Sequence, residues 1–172
     1  NTTQQIAEKF AEELGPVTKT EDLKNLDADK LGERALQQSL SAFDPTSLIP
    51  QVKMQDIKTS ANYDKAAKEA YFKNLSALTQ AEASKLKSGS SSSRAENFKA
   101  AALAYEKIVA NLYNLVVPQP LANFHREVIK TFGLQKNIFD NLANYETDPL
   151  KAMVVLPLLE ETRYELLGII SH

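Results

Sequence analysis

The sequence of 172 residues contains no cysteine, no tryptophan and only five glycines. Without cysteine, disulfide bonds, thiolate metal sites, iron–sulfur clusters and cysteine nucleophiles are excluded. No glycine-rich phosphate loop and no Gly-x-Ser-x-Gly turn is present, so the commonest catalytic chemistries find no candidate residues here. We therefore predict a non-catalytic protein with no cofactor, no catalytic residue and no metal site.

The charges nearly balance, with 20 basic and 22 acidic residues and a formal net charge of -2. This balance gives no reason to expect nucleic acid as a partner. The two ends of the chain, 1–44 and 144–172, are acidic and flank a basic middle. With 43% hydrophobic residues, the composition is that of a globular domain that buries a core.

No apolar run approaches the roughly 18 residues that a membrane span needs. The chain begins at Asn1 rather than at methionine, which indicates a removed leader or an excised domain. We expect an extracytoplasmic or cell-surface ectodomain that is tethered to a membrane only through a segment outside this chain. A cytoplasmic location is the alternative.

Hydrophobic residues recur at helical spacing throughout, and no segment alternates with the period of a strand. The pattern predicts a single all-α domain, an up-down helical bundle of four long helices. Further helices in 1–44 are expected to pack across the bundle, 45–60 is a connector, and 61–172 forms the core. The serine-rich stretch 88–93 is expected to be a flexible loop. The four helices are predicted over about 62–87, 94–117, 119–144 and 149–170.

Two of these helices carry narrow apolar stripes with spacings of three and four residues. Asp148 and Pro149 are a strong helix start, because Asp caps the first turn and Pro has no N–H to leave unbonded there. Pro157 should kink the last helix. The stripe of the second helix is Phe98, Ala102, Tyr105, Val109, Leu112 and Val116, and that of the third is Leu121, His125, Val128, Phe132, Gln135, Phe139 and Leu142.

Two polar residues, His125 and Gln135, interrupt the third stripe. One interpretation is structural: a core histidine bonded to a backbone carbonyl or a tyrosine, and buried hydrogen bonds that fix helix register. The other is a small-ligand or sensory pocket near His125 and Gln135, with Tyr105 or Tyr113 contributed by the preceding helix. The sequence favours a structural or protein-interaction module whose partner is another, unidentified protein, and the ligand-binding bundle is the alternative.

Two acidic patterns suggest chemistry only weakly. The stretch from Asp27 to Gln38 begins like a calcium loop but lacks the closing glutamate, and Asp27 as a helix cap explains it equally well. Glu160, Glu161 and Glu165 are expected to form a solvated helix face. An enzyme that uses these acids with His125 is a third, minor hypothesis.

Two stretches, 62–73 and 97–107, repeat an aromatic–alanine–aromatic pattern at an offset of 34–35 residues. The pattern resembles the second helix of a tetratricopeptide repeat. The diagnostic Trp, Leu and Gly positions of that repeat are missing. We interpret both stretches as ordinary packing faces.

Overall fold

A computed structural model describes residues 4, 5, 8, 43–88 and 93–170 of the chain. For 82–88 and 163–170 it describes the backbone alone. Residues 4, 5 and 8, which fall in the first predicted helix, are helical. The rest of the helices predicted within 1–44, the calcium-like stretch and most of the serine-rich loop lie outside the described residues.

Four long helices make up most of the described chain, which confirms the all-α class. The main contacts between them join consecutive helices, with α2 against α3 the most extensive, followed by α3 against α4 and α1 against α2. The third helix therefore occupies the centre of the packing. The helices are α1 (Lys65–Ser88), α2 (Arg94–Asn114), α3 (Ala122–Ala143) and α4 (Pro149–Ile170).

The described ends of the serine-rich stretch belong to the neighbouring helices. Ser88 is the last residue of α1, and Ser93 is the N-cap of α2, where its side chain accepts a hydrogen bond from the Glu96 N–H. Serine is a favoured N-cap because its hydroxyl satisfies a free N–H of the first turn. The loop expected over the rest of this stretch stays a prediction.

The expectation that the chain contains no strand is wrong at one short place. β1 (Thr59–Ser60) pairs in parallel with β2 (Val117–Pro118), with Thr59 opposite Val117. α2 consequently ends at Asn114 rather than near residue 117. Pro118 explains this end, because the residue before a proline is driven out of the helical conformation into an extended one.

The connector 43–60 packs closely on the helices. Two short 3₁₀ turns, Pro45–Leu48 and Met54–Asp56, place Leu48 and Ile57 in the core. The Asn137 side chain of α3 donates a hydrogen bond of 2.7 Å to the Leu48 carbonyl oxygen. This segment is thus a structural part of the described domain rather than a free link.

Two groups of buried residues form the core. One joins α1, α2 and α3 with the connector, and the other joins α3 and α4 with the start of the connector. The first contains Ile57, Tyr71, Leu75, Ile108, Leu112, Val117, Val128, Ile129 and Phe132. The second contains Leu48, Ile138, Leu142, Ala152 and Val155.

The apolar stripe predicted for α3 is confirmed, because all seven of its members are buried or half-buried. The stripe predicted for α2 is right only in part. Ile108 is buried although it lies off that stripe, whereas Val116 is exposed. Val116 lies beyond the end of α2, so the helical spacing no longer aims its side chain at α3.

The predicted start of α4 is confirmed at Asp148 and Pro149. The Asp148 carboxylate accepts a hydrogen bond of 3.4 Å from the Lys151 N–H, and Pro149 is the first helical residue. α4 then continues as helix through Pro157. The kink at Pro157 stays a prediction.

Replacing Asp148 with alanine should lower the free energy of unfolding by about 1 kcal/mol, the usual loss when an N-cap side chain is removed. Urea denaturation of both proteins measures the difference. Asp148→Asn is the matched control because its amide oxygen keeps the capping bond. Equal losses in both variants would show that the carboxylate charge, and not the cap, is what stabilises this end.

Candidate functional site

His125 is the centre of a buried hydrogen-bonded group that joins three helices. The side chain lies on α3 and is 0% exposed. Its Nδ1 lies 3.0 Å from the Tyr71 hydroxyl of α1, and its Nε2 lies 3.0 Å from the Leu112 carbonyl oxygen of α2. Both ring nitrogens therefore have protein partners.

The chemistry of the partners determines where the proton of His125 lies. A carbonyl oxygen only accepts, so Nε2 must carry the hydrogen that is donated to Leu112. In the neutral ring Nδ1 is then an acceptor, and the Tyr71 hydroxyl donates to it. Each polar atom in this group is matched with a partner of the opposite kind.

The surroundings keep both side chains of this pair uncharged. Burial lowers the pKa of His125 below its ordinary value, and the hydrogen bond to the Leu112 carbonyl opposes that shift. Burial likewise raises the pKa of Tyr71. His125 is thus a neutral imidazole at pH 7. Its position among apolar side chains fits the interpretation of His125 as a core histidine bonded to a backbone carbonyl and a tyrosine.

Gln135 forms a second buried polar contact, with a different helix. The side chain is 2% exposed, and its Nε2 donates to the Thr162 hydroxyl of α4. That hydroxyl donates in turn to the Leu158 carbonyl oxygen at 2.7 Å. Because His125 and Gln135 are ten residues apart, they are separated by about 15 Å along α3.

The two other candidate residues lie in aromatic and apolar surroundings. The Tyr105 ring stacks on Phe139, with centroids 5.5 Å apart, and burial raises its pKa. Tyr113 is half-buried beside the first core group, and its pKa is raised by burial and by the charge of Asp56. The tyrosine that bonds to His125 is Tyr71. The predicted ligand pocket is not tested by these positions and stays a prediction.

Sequence reasoning missed three members of these contacts, namely Tyr71, Leu112 as an acceptor, and Thr162. Tyr71 belongs to the apolar pattern of α1, so its burial is foreseeable, but its partner lies 54 residues away in the chain. Thr162 carries a weaker signal, a polar residue on the side of α4 that also contains Val155. A search for polar residues on buried stripes would have found all but the backbone acceptor.

The acidic residues of the described part do not gather into a site. Within the described ranges, no three His, Asp or Glu side chains lie close enough to hold a metal ion. Glu160 and Glu161 are exposed, as a solvated face requires, while the side chain of Glu165 is not among those described. A surface pocket of about 300 Å³ lies between the start of α2 and the end of α3, lined by Ala95, Glu96, Lys99, Asp140, Ala143 and Asn144.

The strongest surface feature is the outward face of α4, which we define as Met153, Leu156, Pro157 and Glu160. At about 100° per residue these four positions lie on one side of the helix. Met153 is 69% exposed and Leu156 is 51% exposed. Val155, on the opposite side, and Ala152, on the flank, are buried and pack in the core group that joins α3 and α4.

In the part of the chain with described coordinates, no helix combines the length and hydropathy that a membrane crossing needs. The chain matches no protein-family model, and no curated protein or solved structure proved significantly similar to it.

Proposed function

We propose that the protein is a non-catalytic interaction module, and that the outward face of α4 binds an amphipathic helix of another protein. The observation that carries the proposal is the exposure of Met153 and Leu156 side by side on one helix. Single exposed apolar residues are common on protein surfaces, whereas neighbouring large ones that line a helix are typical of a binding face.

The composition of α4 supports the proposal that its outward face binds a helix. The helix is apolar on both sides, with Val155 turned to the core and Leu156 turned to solvent. A helix that is apolar all round is normally buried. Binding a second apolar helix against Met153 and Leu156 completes that burial, in the helix-to-helix mode used by many interaction domains.

Charge indicates what kind of helix fits. Glu160 lies at the end of the outward face and Glu161 beside it, and both are exposed. Two basic residues lie on α4: Lys151 is half-buried, and the side chain of Arg163 is not among those described. The complementary partner is therefore an amphipathic segment that places lysine or arginine next to its apolar residues.

Three further parts of the proposal come from the sequence and await their own tests. The four helices form an up-down bundle, the helices in 1–44 pack across it, and the domain is the extracytoplasmic part of a tethered protein. The binding face on α4 does not depend on any of the three.

Site-specific crosslinking tests the interaction in the cells that make the protein. A photoreactive benzoylphenylalanine replaces Met153, and the matched control replaces Leu103, which is 49% exposed on α2. We expect position 153, and not position 103, to link to a segment with apolar residues at three- and four-residue spacing and adjacent basic residues. Full burial of a leucine side chain contributes about 1.5–3 kcal/mol, and Leu156 is 51% exposed, so Leu156→Ser should weaken binding about three- to tenfold.

Other outcomes of this experiment overturn the proposal. They are equal crosslinking from both positions, a link to residues 1–42 of the same chain, a link to a second copy, or a yield that Leu156→Ser leaves unchanged. The substitution itself should change the free energy of unfolding by less than about 0.5 kcal/mol, because the position is exposed. Loss of binding is then separable from loss of folding.

A further inference from the structure

The hydrogen-bonded group at His125 connects α1 to the rest of the helices through a titratable ring. Tyr71 comes from α1, Leu112 from α2 and His125 from α3. Tyr71 is 2% exposed and His125 is 0% exposed, so neither reaches water in the packed state. The bonding pattern requires a neutral imidazole, because Nδ1 has to accept from the Tyr71 hydroxyl.

Several charged side chains of α1 and α3 have partners other than His125. On α3, Arg126 and Glu127 pair with each other at 3.1 Å on the surface. On α1, Lys68 stacks over the Tyr63 ring at 4.4 Å. From α2 the contact is the Leu112 carbonyl, and from α1 it is the Tyr71 phenol. A positive charge on His125 would therefore find no carboxylate among the described groups that contact it.

Protonation of His125 takes a proton from solvent onto Nδ1 and leaves a cation among apolar side chains. The new N–H points at the Tyr71 oxygen, and the Tyr71 hydroxyl hydrogen loses its acceptor. A buried charge without a counter-ion and a buried donor without an acceptor are both costly. Conformations in which the ring and the phenol reach water are favoured instead.

We propose that protonation of His125 releases α1 from α2 and α3, so that α1 is a pH-dependent element of the fold. Among its described side chains, α1 buries three residues, Tyr71, Leu75 and Thr79. α3 contacts both α2 and α4 and buries ten residues. Release of α1 therefore exposes the His125 ring while α3 keeps its contacts with α2 and α4.

The direction of the pH effect on the release of α1 follows from the number of protons that each state binds. The packed state holds His125 neutral, and the released state lets it titrate near its ordinary pKa of about 6.5. The released state binds more protons, so it gains at most about tenfold per pH unit below that pKa. Between pH 7.5 and 5.0 the release equilibrium should shift by up to about 30-fold.

Amide hydrogen exchange of the full chain, expressed as protection factors at pH 7.5 and 5.0, tests the proposal. We expect the protection factors across 65–81 of α1 to fall ten- to thirtyfold at pH 5.0, up to the maximum that the titration of one histidine allows. The protection factors of α3 should change far less. Equal losses in α1, α2 and α3 would overturn it, because they indicate a general loss of stability.

His125→Gln is the matched variant, since its side-chain amide donates to a carbonyl and accepts from a hydroxyl without titrating. In this variant α1 should keep its protection at pH 5.0, although His172 is still present. A response that persists would overturn the proposal. If the variant does not fold, the imidazole titration of His125 in the unmodified protein, followed by NMR, must have the same midpoint as the α1 opening, and a different midpoint refutes the link.

Discussion

Replacing His125 with alanine should lower the free energy of unfolding by about 3 kcal/mol at pH 7.5. The substitution leaves the Tyr71 hydroxyl buried without an acceptor, which costs about 1–3 kcal/mol. It also opens a cavity beside the Leu112 carbonyl, where the packing of the ring is lost. That carbonyl loses less, because it still accepts from the Leu115 N–H at 3.0 Å. Urea denaturation measures the change.

The matched control for this prediction is His125→Gln. Glutamine keeps one donor and one acceptor, so we expect it to lose less than half as much stability as alanine does. If both variants lose the same amount, the ring contributes by its volume and not by its hydrogen bonds. If the alanine variant loses less than about 1 kcal/mol, the buried group does not hold the three helices together.

The same substitution separates the two interpretations of His125. A ligand-binding role predicts that His125→Ala keeps the fold and abolishes binding. The structural role predicts a large loss of stability, whatever the ligand. Both ring nitrogens already have protein partners, and this geometry favours the second outcome.

The two polar residues of the α3 stripe face different neighbours. His125 bonds to α1 and α2, whereas Gln135 bonds to α4 through Thr162. Each bond is satisfied at only one register of the paired helices, because a shift of one turn moves the partners about 5 Å apart. Polar groups in apolar seams select register in this way in helical assemblies. The pair thus fixes α3 against the helices on both of its sides.

Much of this arrangement is predictable from local patterns. The stripe of α3 is strong because seven residues repeat at spacings of three and four, and burial follows directly from that period. The start of α4 is equally local, because Asp148 and Pro149 suit the first turn for reasons that involve no other part of the chain. Such signals can be identified within one helix, without knowledge of the rest of the fold.

Several features that sequence reasoning missed join distant segments. The Tyr71–His125 bond spans 54 residues and the Asn137–Leu48 bond spans 89. The β1–β2 pair has two residues per strand, too few to show a period in the sequence. The sequence prediction took the tyrosines near His125 from the preceding helix. Hydrophobic periodicity describes one helix at a time, so it does not show that Tyr71 of α1 reaches His125 of α3.

Gly133 shows how closely the connector approaches α3. A Cβ built on Gly133 would lie 2.5 Å from Cγ of Pro50, which is well inside van der Waals contact. Glycine in a helix interior ordinarily costs about 1 kcal/mol relative to alanine. Its presence inside α3 is explained by the proline ring packed against it.

Replacing Gly133 with alanine should therefore destabilise the protein by up to about 2 kcal/mol, although alanine is the better helix former. Overpacking a filled site costs about 1–3 kcal/mol, and the gain in helix propensity offsets about 1 kcal/mol of that. The proline ring cannot rotate away, and the connector beside it is anchored by the Asn137–Leu48 hydrogen bond. Thermal and urea denaturation measure the net change.

Gly133→Ala should stabilise the protein instead of destabilising it once the proline ring is removed. In a Pro50→Ala background the obstructing Cγ is absent, so adding Gly133→Ala should stabilise the chain by about 1 kcal/mol through helix propensity alone. The difference between the two backgrounds is the coupling energy of the contact. If Gly133→Ala has the same effect in both backgrounds, the connector does not press on α3. Its role in the fold would then rest on the Leu48 and Ile57 side chains alone.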